Sequence, residues 1–353
     1  MVKRRFSALF LTLTLLLCTL PAAAAEGDDW LVPKVQEAPA FTDITGVWCE
    51  DAVQTVCQTG LMQGRSDGSF NPSGALTGAH IVTICARLYD LLTGGDGTLQ
   101  EPAADQAWYD PAYKSLAEAL DYAGGLDALR INIHPDKYSI RRWQFVELLD
   151  QTLTAADVTL PAINQITVLP DTTETAVLKL CSAGILTGSD QYGSFRGNES
   201  LSRGQAAAIL ARLADPAQRQ TFTPEPFDLC ADVLGVDGAT VLLTVGGESV
   251  TAELFAYNLC DALCRGDGST QAALEAAIRN WCFYDAPFQF LAEDLSMRLT
   301  AEEQAEAAQA GQNNAGYLGM GAAYWQYKQS GVLLNGNLRM LYWEKDWKTG
   351  EAT

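Results

Sequence analysis

The feature that most constrains this chain is a glycine-rich segment that occurs twice. Residues 60–80 read GLMQGRSDGSFNPSGALTGAH and residues 184–205 read GILTGSDQYGSFRGNESLSRGQ. Gly60, Gly64, Gly68 and Phe70 are answered by Gly184, Gly188, Gly193 and Phe195, with one residue inserted on the way. Helical spacing of apolar residues flanks both loops. Val53, Val56, Cys57 and Gly60 precede the first and Val177, Leu180, Cys181 and Gly184 the second; Ile81, Ile84, Cys85, Leu88 and Ala206, Ile209, Leu210, Leu213 follow them. A weaker middle copy has Leu116, Ala119, Leu120 and Ala123, then Phe145, Leu148 and Leu149. Gly78, Arg142 and Arg203 hold corresponding places, 64 and 61 residues apart. One helical hairpin cannot bury its own apolar stripe, so the three copies are expected to pack together into one threefold-looking unit.

The loop residues have local reasons. Gly60 and Gly184 stand where the first helix ends and where a left-handed residue commonly closes it. Gly64 and Gly68 are expected to permit tight turns, and Phe70 and Phe195 to anchor the loop. A calcium loop at SDGSF lacks the alternating carboxylates that such a loop uses.

The start of the second helix carries most of the chemistry. In LSRGQ, Ser202 is a candidate N-cap and Gln205 its capping-box partner, which leaves Arg203 in the first turn beside free backbone N–H groups. A guanidinium there suits a carboxylate or phosphate. Arg196 in the neighbouring loop is expected to add a second positive charge. In IRRWQ, Arg142 takes the matching place, with Gln144 as the polar end and Arg141 in place of the cap; in LTGAH the cap Thr77 is present but Gly78 replaces the arginine and His80 the polar end. Because alanine is a good helix former, Arg203→Ala is expected to leave the helix intact.

These segments resemble S-layer homology domains, which usually occur as three tandem copies in exported bacterial proteins. The resemblance covers roughly residues 41–215 and rests on FTDITGVWCEDAV with GLMQG, GSFNP and LTGAH, on WYDPAYKSLAEAL with IRRWQ, and on LPDTTETAVLKLCSAGILTG with GSFRG and LSRGQ. It implies a pseudo-threefold assembly with the first helices bundled centrally and grooves between copies for a pyruvylated, peptidoglycan-linked secondary cell-wall polymer. The family motif at the second helix is close to Thr-Arg-Ala-Glu, and its arginine is implicated in holding that polymer. Carried onto this sequence, the polymer-binding residues are Arg203, Arg142, Arg196, Ser202 and Gln205, with one or two competent grooves.

The ends agree with export. Lys3, Arg4 and Arg5 precede an apolar stretch from Phe6 to Leu20 and the run Ala22 to Ala25, the pattern of a secretory signal peptide over residues 1–25. The stretch is shorter than the ~20 apolar residues of a membrane span. Losing the three basic residues takes the formal charge from −20 to −23, which disfavours nucleic acid and anionic membranes as partners. Any anion site must therefore be locally basic.

Residues 26–40 and 216–240 read as linkers, the latter from Pro216, Pro224 and Pro226; copies fill 41–98, 99–160 and 161–215. In 241–353, TVLLTVGGESVTAELFAYNLCDAL reads as a strand, a Gly246–Gly247 turn and a helix capped by Thr251, followed by further helices. That opening is similar to the chaperone module of exported parvulin-type peptidyl-prolyl isomerases. The similarity implies a module holding exported polypeptides, without isomerase activity, since no histidine follows His134. The fold class is mainly α.

No enzyme motif emerges. His80 and His134 are read as surface residues outside any nucleophile or zinc pattern, and no cofactor is expected. Cys57, Cys85 and Cys181 fit buried packing roles. Cys260 and Cys264 share a helix face without a histidine to complete a metal site. Tyr324, Trp325, Tyr327, Tyr342, Trp343 and Trp347 are read as core rather than ligand surface.

Overall fold

The computed structural model describes residues 31–120, 136–245, 248–265, 270–280 and 295–343. The signal peptide, His134, Ala123 and most of the middle loop lie outside them, as do the side chains of Cys260, Cys264, Cys282, Tyr342, Trp343 and Trp347.

The first half consists of helix pairs. Copy one supplies α1 (Glu50–Gln58) and α2 (Gly78–Leu92), copy two α3 (Asp110–Ala119) and α4 (Arg142–Ala155), and copy three α5 (Thr175–Ser182) and α6 (Arg203–Ala214). Gly78, Arg142 and Arg203 each open a second helix, as the spacing requires. The apolar stripes are buried: Val53, Val56, Cys57, Ile81, Cys85, Leu88, Leu116, Phe145, Leu148, Leu149, Leu180, Ala206, Leu210 and Leu213 have essentially no exposure and share one core.

Pairing between copies is cyclic. α3 packs on α2, α5 on α4, and α1 on α6, so each first helix lies on the second helix of the copy before it, and the first copy closes on the last. Burial is concentrated on the second helices: α2 buries Gly78, Ala79, Ile81–Ala86, Leu88 and Leu91, whereas α3 buries Ala112 and Leu116 alone. The expectation of centrally bundled first helices is thereby corrected. Short first helices bury one stripe, while the longer second helices are covered from several sides.

Three backbone hydrogen bonds close the unit around its pseudo-axis. The Leu76 N–H donates to Leu201 O (3.1 Å), the Leu201 N–H to Ile140 O (3.4 Å), and the Ile140 N–H to Leu76 O (2.9 Å). These residues each stand two places ahead of a second helix, and their side chains are buried. Each satisfies a polar group that a buried chain crossing would otherwise strand.

The glycines act in two ways. Gly60, Gly68, Gly184 and Gly193 have φ between 72° and 81°, where a side chain is strained. Gly64 and Gly188 are close-approach positions instead: a Cβ on Gly64 would stand 2.2 Å from the Phe41 ring, and one on Gly188 2.1 Å from Gly193 Cα.

The second half begins sooner than the sequence indicates. Residues 216–226 are docked on copy three: Asn164 accepts from the Phe222 N–H through Oδ1 and donates to Gln220 O through Nδ2, each at 3.0 Å. Leu229–Leu234 forms a π-helical turn whose Leu229 and Cys230 enter a second core with Ala252, Ala256, Met320 and Tyr324. The stretch read as a linker is therefore fixed at both ends. The predicted strand is one arm of a hairpin, β1 (Val241–Val245) antiparallel to β2 (Glu248–Thr251), and leads into α7 (Ala252–Arg265). Thr251 Oγ1 accepts from the Leu254 N–H at 3.4 Å. Helices α8 (Thr270–Asn280), α9 (Ala301–Asn314) and α10 (Ala322–Trp343) follow, the last two packed together. Tyr324 is buried and Trp325 stacks on Tyr317 at 5.5 Å, core roles as expected. Among the described residues no helix is long and apolar enough to cross a membrane.

Candidate ligand groove

A helix N-terminus leaves backbone N–H groups unpaired, and here the loop of another copy takes them. The Arg203 and Gly204 N–H groups donate to Gly74 O and Pro72 O (both 2.8 Å), and those of Arg142 and Trp143 to Glu199 O (2.9 Å) and Gly197 O (3.0 Å). Loop one thus seats on α6, and loop three on α4. Two acids hold these loops in shape. Asp43 accepts from the Phe70 and Asn71 N–H groups at 2.9 and 2.7 Å, and Asp171 from those of Phe195 and Arg196 at 2.8 and 2.6 Å. Hydrogen bonds from the Phe70 amide above all hold the Asp43 carboxyl below the usual carboxylate range.

Two expectations are corrected by this seating. The first-turn N–H groups beside Arg203 are engaged by loop carbonyls and are not open to an anion. Arg196, moreover, lies with Arg142 rather than Arg203, because its loop docks on α4; it pairs with Asp190 at 3.5 Å and Glu199 at 3.6 Å. Ser202 and Gln205 form the expected capping box: Ser202 Oγ accepts from the Gln205 N–H (3.2 Å) and Gln205 Oε1 from the Ser202 N–H (3.1 Å). Both serve the helix end, and neither lines the groove described below. Gln144 Oε1 likewise accepts from the Arg141 N–H at 2.7 Å.

Arg203 is only 9% exposed. Its Nε donates to Phe70 O (2.8 Å) and its Nη2 to Gln63 O (2.7 Å), and the guanidinium lies 4.5 Å from the centre of the Phe70 ring. It fastens copy three to copy one. Its remaining edge opens into a groove of about 420 Å³ shared by all three copies. Copy one provides the floor from Leu61 to Arg65 and the α2 residues His80, Ile84 and Arg87; copy two provides Trp108 and copy three Arg203. Arg142, the pseudo-equivalent of Arg203, sits over Phe195 at 5.7 Å and does not line this groove.

Three arginines line the groove, Arg65, Arg87 and Arg203, and no carboxylate is among its lining residues. Burial, and then the charge of Arg65, push the Arg203 pKa below its usual value; burial does the same to Arg87. Arginine remains charged nonetheless, so the crowding favours any anion that relieves it. Trp108 is 51% exposed and adds a flat apolar wall, its ring 5.5 Å from that of His80. Chemically, such walls could accept an anion beside a flat apolar face.

His80 is half-buried in this wall rather than on the open surface. Its Nδ1 accepts from the Thr77 N–H at 3.2 Å and lies 2.7 Å from Thr77 Oγ1, so it caps α2 as a neutral ring protonated on Nε2. Burial, followed by the charges of Arg203 and Arg65, holds its pKa below the usual 6.5. As pH falls the unfolded chain takes up this proton first, so the stability contribution is complete above about pH 6.5 and is lost as pH falls through the lower folded value. Unfolding midpoints measured between pH 7.5 and 4.5 are expected to show this loss, and His80→Gln, which keeps a cap acceptor, is expected to flatten that part of the profile.

The sequence reading missed Arg65, Arg87, His80 and Trp108 as groove residues. One signal was available: Arg87 and Arg212 each stand nine residues after the first residue of a second helix, and Trp48 and Trp108 occupy matching places in VWCEDAV and AWYDPAY. The three cysteines read as packing residues are buried, as expected. Cys57, Cys85 and Cys181 are buried free thiols, pushed by desolvation to about 11, 12 and 12.

Comparison with known proteins bears on the same part of the chain. A family model described as S-layer homology domain matches residues 40–81, from just before α1 to the first turn of α2. The chain is similar to the "Surface-layer 125 kDa protein" of Lysinibacillus sphaericus, 32% identical over 99 residues, which is 28% of this chain and 8% of that protein. It is also similar to the "Outer membrane protein SlpA" of Deinococcus radiodurans, 32% identical over 89 residues, 25% of this chain and 8% of that protein. The chain thus spans a small fraction of the length of both relatives.

Proposed function

We propose that this is a non-catalytic protein of the bacterial cell surface, held to the wall by an acidic polymer bound in the groove of Arg65, Arg87, Trp108 and Arg203. The observation that carries the reading is a groove lined by three arginines, with no acid among the lining residues, in a chain of net charge −20. A site this basic on so acidic a protein selects an anion locally while the rest of the surface repels it. The S-layer homology match over 40–81 includes the floor of the groove, and its family implies a pyruvylated secondary cell-wall polymer. A ketal-linked pyruvate presents one carboxylate on a sugar ring, which suits guanidinium forks beside an indole. The alternative reading, a module that holds exported polypeptides, is favoured by one observation: Val241, Leu242 and Leu243 are exposed along β1 at 53%, 47% and 38%.

The test is a pull-down of the full chain on purified wall polymer. Arg65→Ala and Arg87→Ala are the informative variants, since neither side chain fastens two copies together as Arg203 does. Each is expected to weaken binding roughly tenfold to hundredfold, the equivalent of a charge-assisted hydrogen bond of about 1.5 to 3 kcal/mol. Removing pyruvate from the polymer is expected to lower wild-type binding to the level of the double variant. Equal retention of the double variant and the wild-type protein on intact polymer would refute the proposal.

A further inference from the structure

His80 is the only histidine among the described residues, and of the residues lining the groove it is the one whose charge changes between about pH 5 and about pH 8. The three arginines stay charged throughout that range, and a carboxylate ligand stays ionised above its ordinary pKa of about 4. An anion site made of arginines alone would therefore bind equally well at either end of it. A histidine in the wall removes that indifference.

The geometry lets the ring take up a proton without leaving its place. Nδ1 accepts from the Thr77 N–H and lies 2.7 Å from Thr77 Oγ1, while Nε2 makes no hydrogen bond among the described residues. Protonation turns Nδ1 from acceptor into donor. The bond from the Thr77 N–H is then lost, but Thr77 Oγ1 has lone pairs that accept from Nδ1–H, so the ring stays tethered to the start of α2. Its unbonded side presents Nε2–H as a charged donor in the groove wall.

The charges around His80 decide when that proton is welcome. Arg65 from loop one and Arg203 from α6 both oppose it, and Arg87 stands two turns further along α2. The acids of the neighbouring elements are engaged elsewhere or open to solvent. Asp43 and Asp67 accept from amides of loop one, Asp90 from the Gly97 N–H beyond the end of α2, and Asp110 from the Ala107 N–H at the start of α3. On α4, Glu147 accepts from Gln151 and Asp150 pairs with Lys179; Asp105, ahead of Trp108, is exposed. In the segment bridged to Thr77 through Ser139, Lys137 lies over the Tyr138 ring and Asp136 acts on Tyr109. None of these carboxylates is paired with His80. A proton there meets repulsion from the arginines, and an anion lying among them converts that repulsion into attraction.

We propose that His80 couples ligand binding to proton uptake: an acidic group in the groove of Arg65, Arg87 and Arg203 is held more tightly when His80 is protonated, so the grip on the wall strengthens as the surroundings acidify. This rests on the wall-binding reading for its ligand and adds the regulation of that site. Linkage is reciprocal, so an anion that favours the proton is favoured by it in equal measure. The sign is opposite to that for the fold alone. Acid weakens the cap of α2, yet the same proton draws the anion in.

The experiment uses the full chain and intact wall polymer at constant ionic strength, with circular dichroism confirming that each protein is folded at each pH. Calorimetry is expected to show roughly tenfold tighter binding at about pH 5 than at about pH 8, the equivalent of one added charge-assisted contact. Titrations near pH 6 in buffers of different ionisation enthalpy are expected to show net proton uptake on binding. His80→Gln, which keeps an acceptor for the cap, is expected to abolish that uptake and bring the two affinities within about twofold of each other, whereas His134→Gln keeps both effects. Equal wild-type affinity at the two pH values, or a pH dependence that survives His80→Gln, overturns the coupling and leaves the wall-binding reading standing. Absence of binding at both pH values overturns the two together.

Discussion

Arg203→Ala is expected to destabilise the protein as well as weaken its grip on polymer, with the first effect dominating. The side chain is 9% exposed, donates to two backbone carbonyls of copy one and lies against Phe70. Alanine leaves Phe70 O and Gln63 O without that donor and removes the cation from the ring. Hydrogen bonds from a charged group contribute about 1.5 to 3 kcal/mol each, and their loss is not additive. A fall of roughly 2 to 4 kcal/mol in unfolding free energy is expected on that basis. Denaturant titration of the full chain measures it. The helix itself is unaffected, since Ser202 and Gln205 still cap it; what is lost is the attachment of loop one to α6. An unchanged midpoint would show that Arg203 is a ligand-binding residue without a fastening role. Arg203→Lys is expected to recover part of the loss, because an ammonium can donate to one carbonyl but cannot span both in the guanidinium geometry.

Removal of residues 161–215 has a larger expected effect. It deletes α5 and α6, and with α6 goes the partner of α1, so Val53, Val56 and Cys57 lose their cover. Two of the three ring hydrogen bonds go with Leu201, leaving only that from the Ile140 N–H to Leu76 O. Exposing a buried valine or leucine costs about 1.5 to 3 kcal/mol, so several together approach the ~5 to 15 kcal/mol that holds an ordinary domain folded. The shortened chain is expected to lose its cooperative transition and to bind a hydrophobic dye. A sharp transition at the wild-type midpoint would mean that copies one and two form a self-sufficient unit.

Much of this architecture is legible in the sequence because local rules and long-range packing agree. The stripes Val53, Val56, Cys57 and Ala206, Ile209, Leu210, Leu213 show period 3.6 and are buried as that period requires. Ser202 with Gln205 is a capping box whose signature is entirely local. Gly60 and Gly184 adopt the left-handed conformation expected after a helix.

The groove was less legible because its parts are far apart in the chain. Arg203 touches Gln63, 140 residues away, and nothing in LSRGQ says that its partner is loop one rather than the adjacent loop three. The assignment of Arg196 to the same site followed sequence proximity, whereas loops one and three each dock on a different copy's helix. The docked segment 216–226 was hidden by its prolines, which signal irregular backbone but not whether that backbone is free. Asn164, which clamps it, has no local signature at all.

The cyclic closure bears on how such a protein carries force. Polymer held in the groove would grip chain from copies one, two and three at once, so tension enters the bundle at Arg65, Trp108 and Arg203 together. The segment leading into copy one is fastened from its first described residue, because the Leu31 N–H donates to Ala214 O at 2.8 Å, where α6 finishes. The segment leaving copy three is fastened too, by Asn164. A pull must therefore shear several contacts simultaneously instead of peeling them one by one, and a tether of this design yields abruptly at high load rather than creeping at low load.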